Sequence, residues 1–238
     1  MTKKNPQKHV ILGTPPTFVR TTLAEQVHEA IKERILDQTL EPGARLSIDS
    51  IARELGVSSS PVREALIKLE GERLVVCELY AGYRVSAHPQ RKHLYDLLDY
   101  RILLESHCAR LGAGRSDPMV VASLEEQMER MLNTPILGTK YREYADFVQA
   151  DSRFHHIIVD SAQNEVMSDV YVSLNALILQ SRLYLTRQGG SVSSEEVIDE
   201  HRSILQAYRD GNGERAAQMI TAHLEGGRRR LLKFLPEE

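Results

Sequence analysis

The stretch Ile51–Leu69, IARELGVSSSPVREALIKL, decides the fold of the first third of this chain. Its first half has apolar residues at helical spacing: Ile51, Ala52 and Leu55. Gly56 follows at a place where helices commonly end in a left-handed residue. Serines then offer caps for a second helix, and Pro61 suits its first turn because the missing N–H would be unpaired there anyway. The pattern predicts two short helices that meet at a tight turn.

The second of these helices carries the residues that we expect to contact DNA. When its apolar side packs on the first helix, four polar residues remain near its N-terminal end: Ser58, Ser59, Ser60 and Arg63. A helix-turn-helix protein places this end of its recognition helix against base edges and phosphates. An ordinary helical hairpin has the same local pattern. Only the flanking sequence can distinguish such a hairpin from a DNA-binding helix-turn-helix.

The flanking sequence favours a winged helix-turn-helix domain. The run Thr22–Glu25, TLAE, is a capping box that begins an earlier helix. The segment Leu74–Ser86 is rich in β-branched and aromatic residues around Ala81 and Gly82, which is typical of a hairpin. Three helices followed by a hairpin is the order of a winged helix-turn-helix. Gly82, near the tip of the wing, is expected to meet the minor groove or the DNA backbone.

The chain after His88-Pro89 has the pattern of helices throughout. Turn and capping signals divide it into six helices with short connections, which predicts an antiparallel bundle. We therefore expect a mainly α protein with four parts: a flexible arm at 1–20, a winged helix-turn-helix domain at 21–87, a linker at 88–91, and a helical domain at 92–238 that binds a ligand or a metal.

Composition and charge limit the function. The chain has no apolar stretch of the length of a membrane span and no secretory signal, so we expect a cytoplasmic protein with no membrane contact. Cys77 and Cys108 lack metal-binding or redox spacing and are predicted to be reduced, partly buried thiols. Residues 1–88 carry 12 Lys and Arg against 11 Asp and Glu, and the whole chain has a net charge of −3. DNA binding must therefore rest on local presentation of charge.

Polar residues interrupt the apolar stripes of three bundle helices. Asp151 and His155 are four residues apart and share a helix face, while His201 and His223 lie on the apolar stripes of the last two helices. An unpartnered buried carboxylate is strongly unfavourable. Three imidazoles and one carboxylate suit zinc, and also nickel, manganese or iron, with open positions for water or a ligand. The alternative is a hydrogen-bonded Asp–His cluster without a metal.

The first bundle helix has a similar anomaly at Arg101, which lies in the middle of a leucine-rich stripe. An inward arginine needs an anion, either an internal acid such as Glu105 or a bound carboxylate. A pocket with a metal and an arginine would suit a small organic acid. The alternatives are an Arg101–Glu salt bridge or an exposed guanidinium at the rim of the bundle.

These motifs resemble a known family of bacterial transcription regulators, the GntR family. The likeness covers residues 22–86 through LAEQVHEAIKERILDQTLEPGARL, IARELGVSSSPVREALIKLEGERLV and GYRV. Residues 90–234 resemble the FadR C-terminal (FCD) ligand-binding domain through RILLE at Arg101–Glu105, D-x-x-x-H at Asp151–His155, and the histidines at 201 and 223. Six bundle helices look closer to the VanR-like branch. The resemblance implies a homodimeric, effector-responsive regulator whose metal ligands stand at these positions.

Two positions depart from the family pattern and bear on the expected operator contacts. Ser59 stands where many members have an arginine, so one fewer candidate remains for a bidentate guanine contact, while Arg63 matches the second family arginine. Asp49 stands where some relatives have a basic residue. The operator sequence common in the family is therefore not expected to carry over directly.

The sequence as a whole predicts a ligand-responsive repressor that is not an enzyme. A homodimer would present two recognition helices to two half-sites of double-stranded operator DNA, and a small carboxylate metabolite would bind at the metal site, with Arg101 among its contacts. Three alternatives remain: a metal-dependent hydrolase-like domain fused to a DNA-binding module, a repressor that senses the metal directly, and a purely structural metal.

Overall fold

The architecture follows from a computed structural model that describes residues 21–87, 90–134, 140–187 and 195–232. The expected arm at 1–20 and the His88-Pro89 pair lie outside the described residues. Within them the chain forms nine helices and three strands. The elements are, in order, α1 Leu23–Leu36, β1 Arg45–Leu46, α2 Ile48–Leu55, α3 Ser59–Gly71, β2 Val75–Glu78, β3 Gly82–Val85, α4 Arg91–Gly114, α5 Pro118–Asn133, α6 Tyr141–Asp160, α7 Glu165–Arg187, α8 Glu195–Arg209 and α9 Gly213–Leu232.

The elements α1 to β3 form the winged helix-turn-helix that the sequence predicts. The capping box of α1 is confirmed, because Thr22 Oγ1 accepts from the Glu25 N–H at 3.2 Å and Glu25 Oε2 accepts from the Thr22 N–H at 2.7 Å. The helix α2 ends at Gly56, whose φ of 67° lies in the left-handed region. The strands pair antiparallel in the order β1-β3-β2, so the hairpin forms a wing beside α3.

The six helices α4 to α9 form the predicted bundle. Its largest core cluster joins the buried faces of α4, α5, α6, α8 and α9. A smaller cluster around Cys108 and Tyr171 joins α4, α6 and α7. Both cysteines are free thiols; Cys108 is buried, but Cys77 is exposed on the wing, so the expectation of partial burial was wrong for Cys77. In the described residues no helix has the length and apolarity that a membrane span requires.

A buried group of charges ties α1 to the end of α3. Glu72, just after α3, contacts His28 Nε2 at 2.9 Å and pairs with Lys32 Nζ at 2.9 Å. Burial opposes ionisation of Glu72, but the hydrogen bond from His28 and the charge of Lys32 outweigh it and lower the pKa of this carboxyl to about 2. The ionised form of Glu72 therefore stabilises the packing of α1 on α3.

We expect the Glu72→Gln variant to lose about 1–3 kcal/mol of unfolding free energy at pH 7. The Glu72 carboxyl ionises at about 2 in the folded chain and near its usual 4.5 in the unfolded chain. Its contribution is therefore present above pH 4.5 and is lost as the pH falls toward 2. Urea unfolding of both proteins at several pH values measures this.

The matched control is Glu41→Gln, which removes an exposed carboxylate from the turn after α1. We expect this control to unfold like the parent protein at every pH. A stability difference between Glu72→Gln and the parent that stays constant from pH 7 to pH 3 would contradict the assigned ion pairs.

Candidate metal centre

Three helices bring four buried residues of types that can bind a metal to one point in the bundle. The helix α6 supplies Asp151 and His155, α8 supplies His201, and α9 supplies His223. One ligand atom from each residue lies within 4.8 Å of the others. All four residues that the sequence singled out on the apolar stripes are therefore neighbours in the fold.

Each of the three histidines is held by a partner outside the cluster. Each uses its Nδ1 for one contact: His155 with Glu105 Oε2 at 2.6 Å, His201 with the Val197 carbonyl at 2.8 Å, and His223 with Glu200 Oε2 at 2.8 Å. An Nδ1 that donates to a carboxylate or carbonyl fixes the tautomer and leaves the lone pair on Nε2. Metal-binding histidines in proteins are commonly held in this way.

The inner atoms of the cluster are not satisfied by one another. The Nε2 atoms of His155 and His201 are buried and have no hydrogen-bond partner among the described residues. Asp151 Oδ1 lies 2.9 Å from His201 Nε2 and 3.8 Å from His155 Nε2, but neither approach has the geometry of a hydrogen bond. Buried polar atoms normally have partners. Two buried nitrogens without partners, in a group of three histidines and one aspartate, fit a divalent cation better than a hydrogen-bonded Asp–His cluster.

The electrostatics of the site favour the protonation states that a metal requires. Burial lowers the pKa of His155, and burial together with the neighbouring His201 lowers the pKa of His223 to about 3. Both imidazoles are therefore neutral at pH 7, which is the form that binds a metal. Burial opposes ionisation of Glu105, but Arg101 and His155 outweigh it and lower its pKa to about 2.

Arg101 lies beside the site, and its side chain is buried. Its Nε donates to Glu105 Oε1 at 2.6 Å, and the other carboxylate oxygen of Glu105 contacts His155, so Arg101 is connected to a candidate ligand. The internal salt bridge that the sequence allowed is present, and the exposed guanidinium is not. The Nη2 of Arg101 is buried without a hydrogen-bond partner in the described part of the chain.

The outer partner of His223 was missed by the sequence analysis. Glu200 accepts two hydrogen bonds from Arg230, at 2.9 and 2.8 Å, in addition to its contact with His223. Burial opposes its ionisation, but His223 and Arg230 lower the pKa of Glu200 to about 2. The one available signal was that Glu200 immediately precedes His201, and this signal does not show that Glu200 reaches α9.

The predicted DNA-contacting residues lie on the surface of the winged helix. Ser58 stands at the N-cap of α3 with no side-chain capping bond, which leaves its hydroxyl for other contacts. Ser59 is half-buried, and Ser60 and Arg63 are exposed. Gly82 is exposed at the start of β3 with a φ of 81°, a conformation that favours glycine. Arg45, exposed on β1 and paired with Arg84 in the sheet, is a further positive residue that the sequence analysis did not select.

A winged helix-turn-helix joined to a helical bundle with a polar centre is the architecture of a DNA-binding regulator with a sensor domain. The family described as bacterial regulatory proteins, gntR family, matches residues 23–85, and the FCD domain matches residues 96–226. The chain belongs to the GntR family and carries an FCD domain. It is accordingly a transcription regulator and not an enzyme, which removes the hydrolase alternative.

Individual relatives agree with this assignment. The chain is 28% identical over 198 residues to the uncharacterized HTH-type transcriptional regulator YdhC of Bacillus subtilis, a match over 83% of this chain and 86% of YdhC. It is 25% identical over 209 residues to the galactonate operon transcriptional repressor of Escherichia coli, a match over 80% of this chain and 88% of that protein. The solved structure of Escherichia coli McbR/YncC has the same fold, with a TM-score of 0.64 and 20% identity over 90% of this chain and 99% of that one.

We expect His201→Ala to reduce the zinc that the protein retains after dialysis to well below one equivalent per chain. The loss of one of four ligands leaves an incomplete set around the cation. The matched control is His156→Ala, which removes a partly exposed histidine next to His155 on α6 but outside the cluster. Elemental analysis measures the zinc content of both variants, and we expect His156→Ala to retain its zinc. A full equivalent of zinc in His201→Ala would exclude this ligand set.

Proposed function

We propose that this regulator is a repressor whose operator affinity is controlled by a small organic acid bound at a metal ion. The ion would lie between Asp151, His155, His201 and His223. The observation that carries the proposal is that the buried Nε2 atoms of His155 and His201 have no hydrogen-bond partner in the described chain, while Arg101, linked to His155 through Glu105, has a buried Nη2 without one. A cation at this point would satisfy the nitrogens, and an anion would satisfy the guanidinium.

Zinc is the ion that the donor set favours. Three imidazole nitrogens and one carboxylate oxygen are common zinc ligands, and nickel, manganese and iron accept the same donors. When bound, the ion supplies positive charge and an open coordination position for an oxygen of the ligand. The protein's own residues orient the site, because Glu105 and Glu200 hold two of the histidines from outside.

Two observations support an organic acid as the effector. The buried guanidinium of Arg101 offers a planar N–H donor, and carboxylates match that geometry. The related galactonate operon repressor is named for the operon of a sugar acid, whose carboxylate and hydroxyl groups would suit a metal and an arginine together. The name of the same relative supports repression rather than activation.

The proposed regulator acts as a homodimer in the cytoplasm. Two features support a homodimer: an exposed apolar face on the bundle and the two half-sites of an operator. Large apolar side chains are exposed on neighbouring faces of α4 and α7: Tyr100, Leu103, Val166 and Val170. A groove of about 300 Å³ between these helices is lined mainly by apolar residues, among them Leu97 and Leu174. Such a face is typical of a symmetric contact between two copies. Two copies would place two α3 helices over two half-sites of an operator.

Direct sensing of the metal is the second candidate function. Four protein donors are enough to complete a tetrahedral zinc site without any ligand, which is the arrangement of structural sites. In that case the operator affinity would follow the metal alone. A purely structural metal would leave the effector response unchanged when it is removed and would only lower the melting temperature.

The decisive experiment measures operator binding with zinc and organic acids varied separately. The zinc-loaded protein first selects its operator from a pool of random duplexes. We expect hydroxy or sugar acids to weaken operator binding by about 5- to 150-fold, the usual range of allosteric coupling. Chelation should abolish the response, and added zinc should restore it. Affinity that follows zinc but ignores every acid would replace the proposal with direct metal sensing.

The same assay includes the Arg63→Ala variant, which removes the side chain that we expect to contact a base. We expect it to weaken operator binding by about 1–3 kcal/mol while the dimer remains folded, as is usual for an arginine that contacts a base. Lys68→Ala, which removes an exposed basic residue from the other end of α3, is the control and should bind like the parent. Unchanged affinity in Arg63→Ala would show that α3 is not positioned on DNA as proposed.

A further inference from the structure

The candidate ligands of α6 belong to a longer stripe along that helix. Tyr144, Val148, Asp151 and His155 follow one another at intervals of four, three and four residues, so they lie on one face of α6. All four are buried. The two at the C-terminal end of the stripe belong to the candidate metal centre, and the two at the N-terminal end have a different environment.

One face of the N-terminal half of α6 packs into the core of the winged helix, while Phe147 and Ala150 of the same half belong to the core of the bundle. Tyr141, Tyr144 and Val148 belong to one cluster with residues of α1, α2, α3 and the wing, and Ala145 packs against it. In the described part of the chain every bundle residue of this cluster comes from α6. Farther along the helix, Phe154 and Ile158 belong to the core of the bundle. One helix is therefore shared between the two cores.

Polar contacts hold the start of α6 against the end of α1. Asp37, the C-cap of α1, accepts a hydrogen bond from the Tyr141 N–H at 2.7 Å. A carboxylate at this place is also favoured by the positive end of the dipole of α6. Arg142 pairs with Glu33 at 2.6 Å in a more exposed position. The end of α1 and the first turn of α6 are therefore joined by side-chain packing and by direct hydrogen bonds.

The contact between α1 and α6 is not filled on all sides. A groove of about 370 Å³ that opens to solvent lies beside it, bounded by Lys32 of α1 and by residues of α6: Tyr141, Val148, Gln149, Ser152, Arg153 and His156. The contact is therefore packed on one side and borders solvent on the other. Val148 lies both in the shared cluster and at this groove.

We propose that α6 transmits occupancy of the metal centre to the DNA-binding domain, with Tyr144 and Val148 as the positioning residues. This inference rests on the proposed metal site. Coordination by Asp151 and His155 would fix the rotation of α6 about its axis. Val148 precedes Asp151 by three residues, about 4.5 Å along the helix, so the rotation of α6 sets how α6 packs on α1. A ligand that changes the coordination then favours one arrangement of the DNA-binding domain over another.

Hydrogen exchange of the full chain, with zinc as the only added probe, tests this inference. We expect zinc to slow amide exchange in α8 and α9, and also in α1 by about fivefold or more, the lower end of usual coupling. In Val148→Ala zinc should still bind at one equivalent and still protect α8 and α9, because the ligands are intact. The added protection of α1 should disappear in this variant.

Val159→Ala is the matched control, since it removes the same two methyl groups from another buried valine of α6 that packs only within the bundle. It should keep the zinc-dependent protection of α1. Zinc that binds the parent chain without slowing exchange in α1 would overturn this inference and leave the metal site standing. Protection of α1 in Val148→Ala equal to that of the parent would also overturn it, and a parent chain that binds no zinc would overturn the proposed function.

Discussion

The burial of one carboxylate and three imidazoles at a single point is the constraint on which the bundle depends. Desolvation of these groups is unfavourable unless each atom has a partner. The outer nitrogens have theirs in Glu105, Glu200 and a backbone carbonyl, while the Nε2 atoms of His155 and His201 have no hydrogen bond in the described chain. The helices α6, α8 and α9 must therefore meet at this point in a fixed register. A cation there would stabilise both the site and the packing around it.

The chain of contacts that begins at this centre joins the two domains. Arg101 contacts Glu105, Glu105 contacts His155, and α6 continues from His155 to the side chains that lie in the core of the winged helix. An anion bound by Arg101 and a metal bound by His155 would act on the same connected group. A net charge of −3 does not exclude a DNA-binding regulator, because DNA contacts can depend on the placement of a few residues rather than on bulk charge.

Much of this structure could be predicted from the sequence because local rules govern it. The capping box at Thr22, the left-handed Gly56 and the helical periodicity fix the elements, and polar residues on apolar stripes identify the four candidate ligands. The remainder depends on tertiary packing. No local pattern shows that Glu200 of α8 reaches His223 of α9, or that Tyr144 lies in the core of the other domain. The exposure of Cys77 likewise depends on which face the wing presents.

Anomalous X-ray scattering from crystals of the zinc-loaded protein tests the central claim most directly. Data on the two sides of the zinc absorption edge locate the metal and identify it. The account predicts one peak per chain between Asp151, His155, His201 and His223, with ligand distances of about 2.0–2.2 Å. The absence of a peak there, with a water molecule or a direct Asp151–His201 hydrogen bond in its place, would contradict the account.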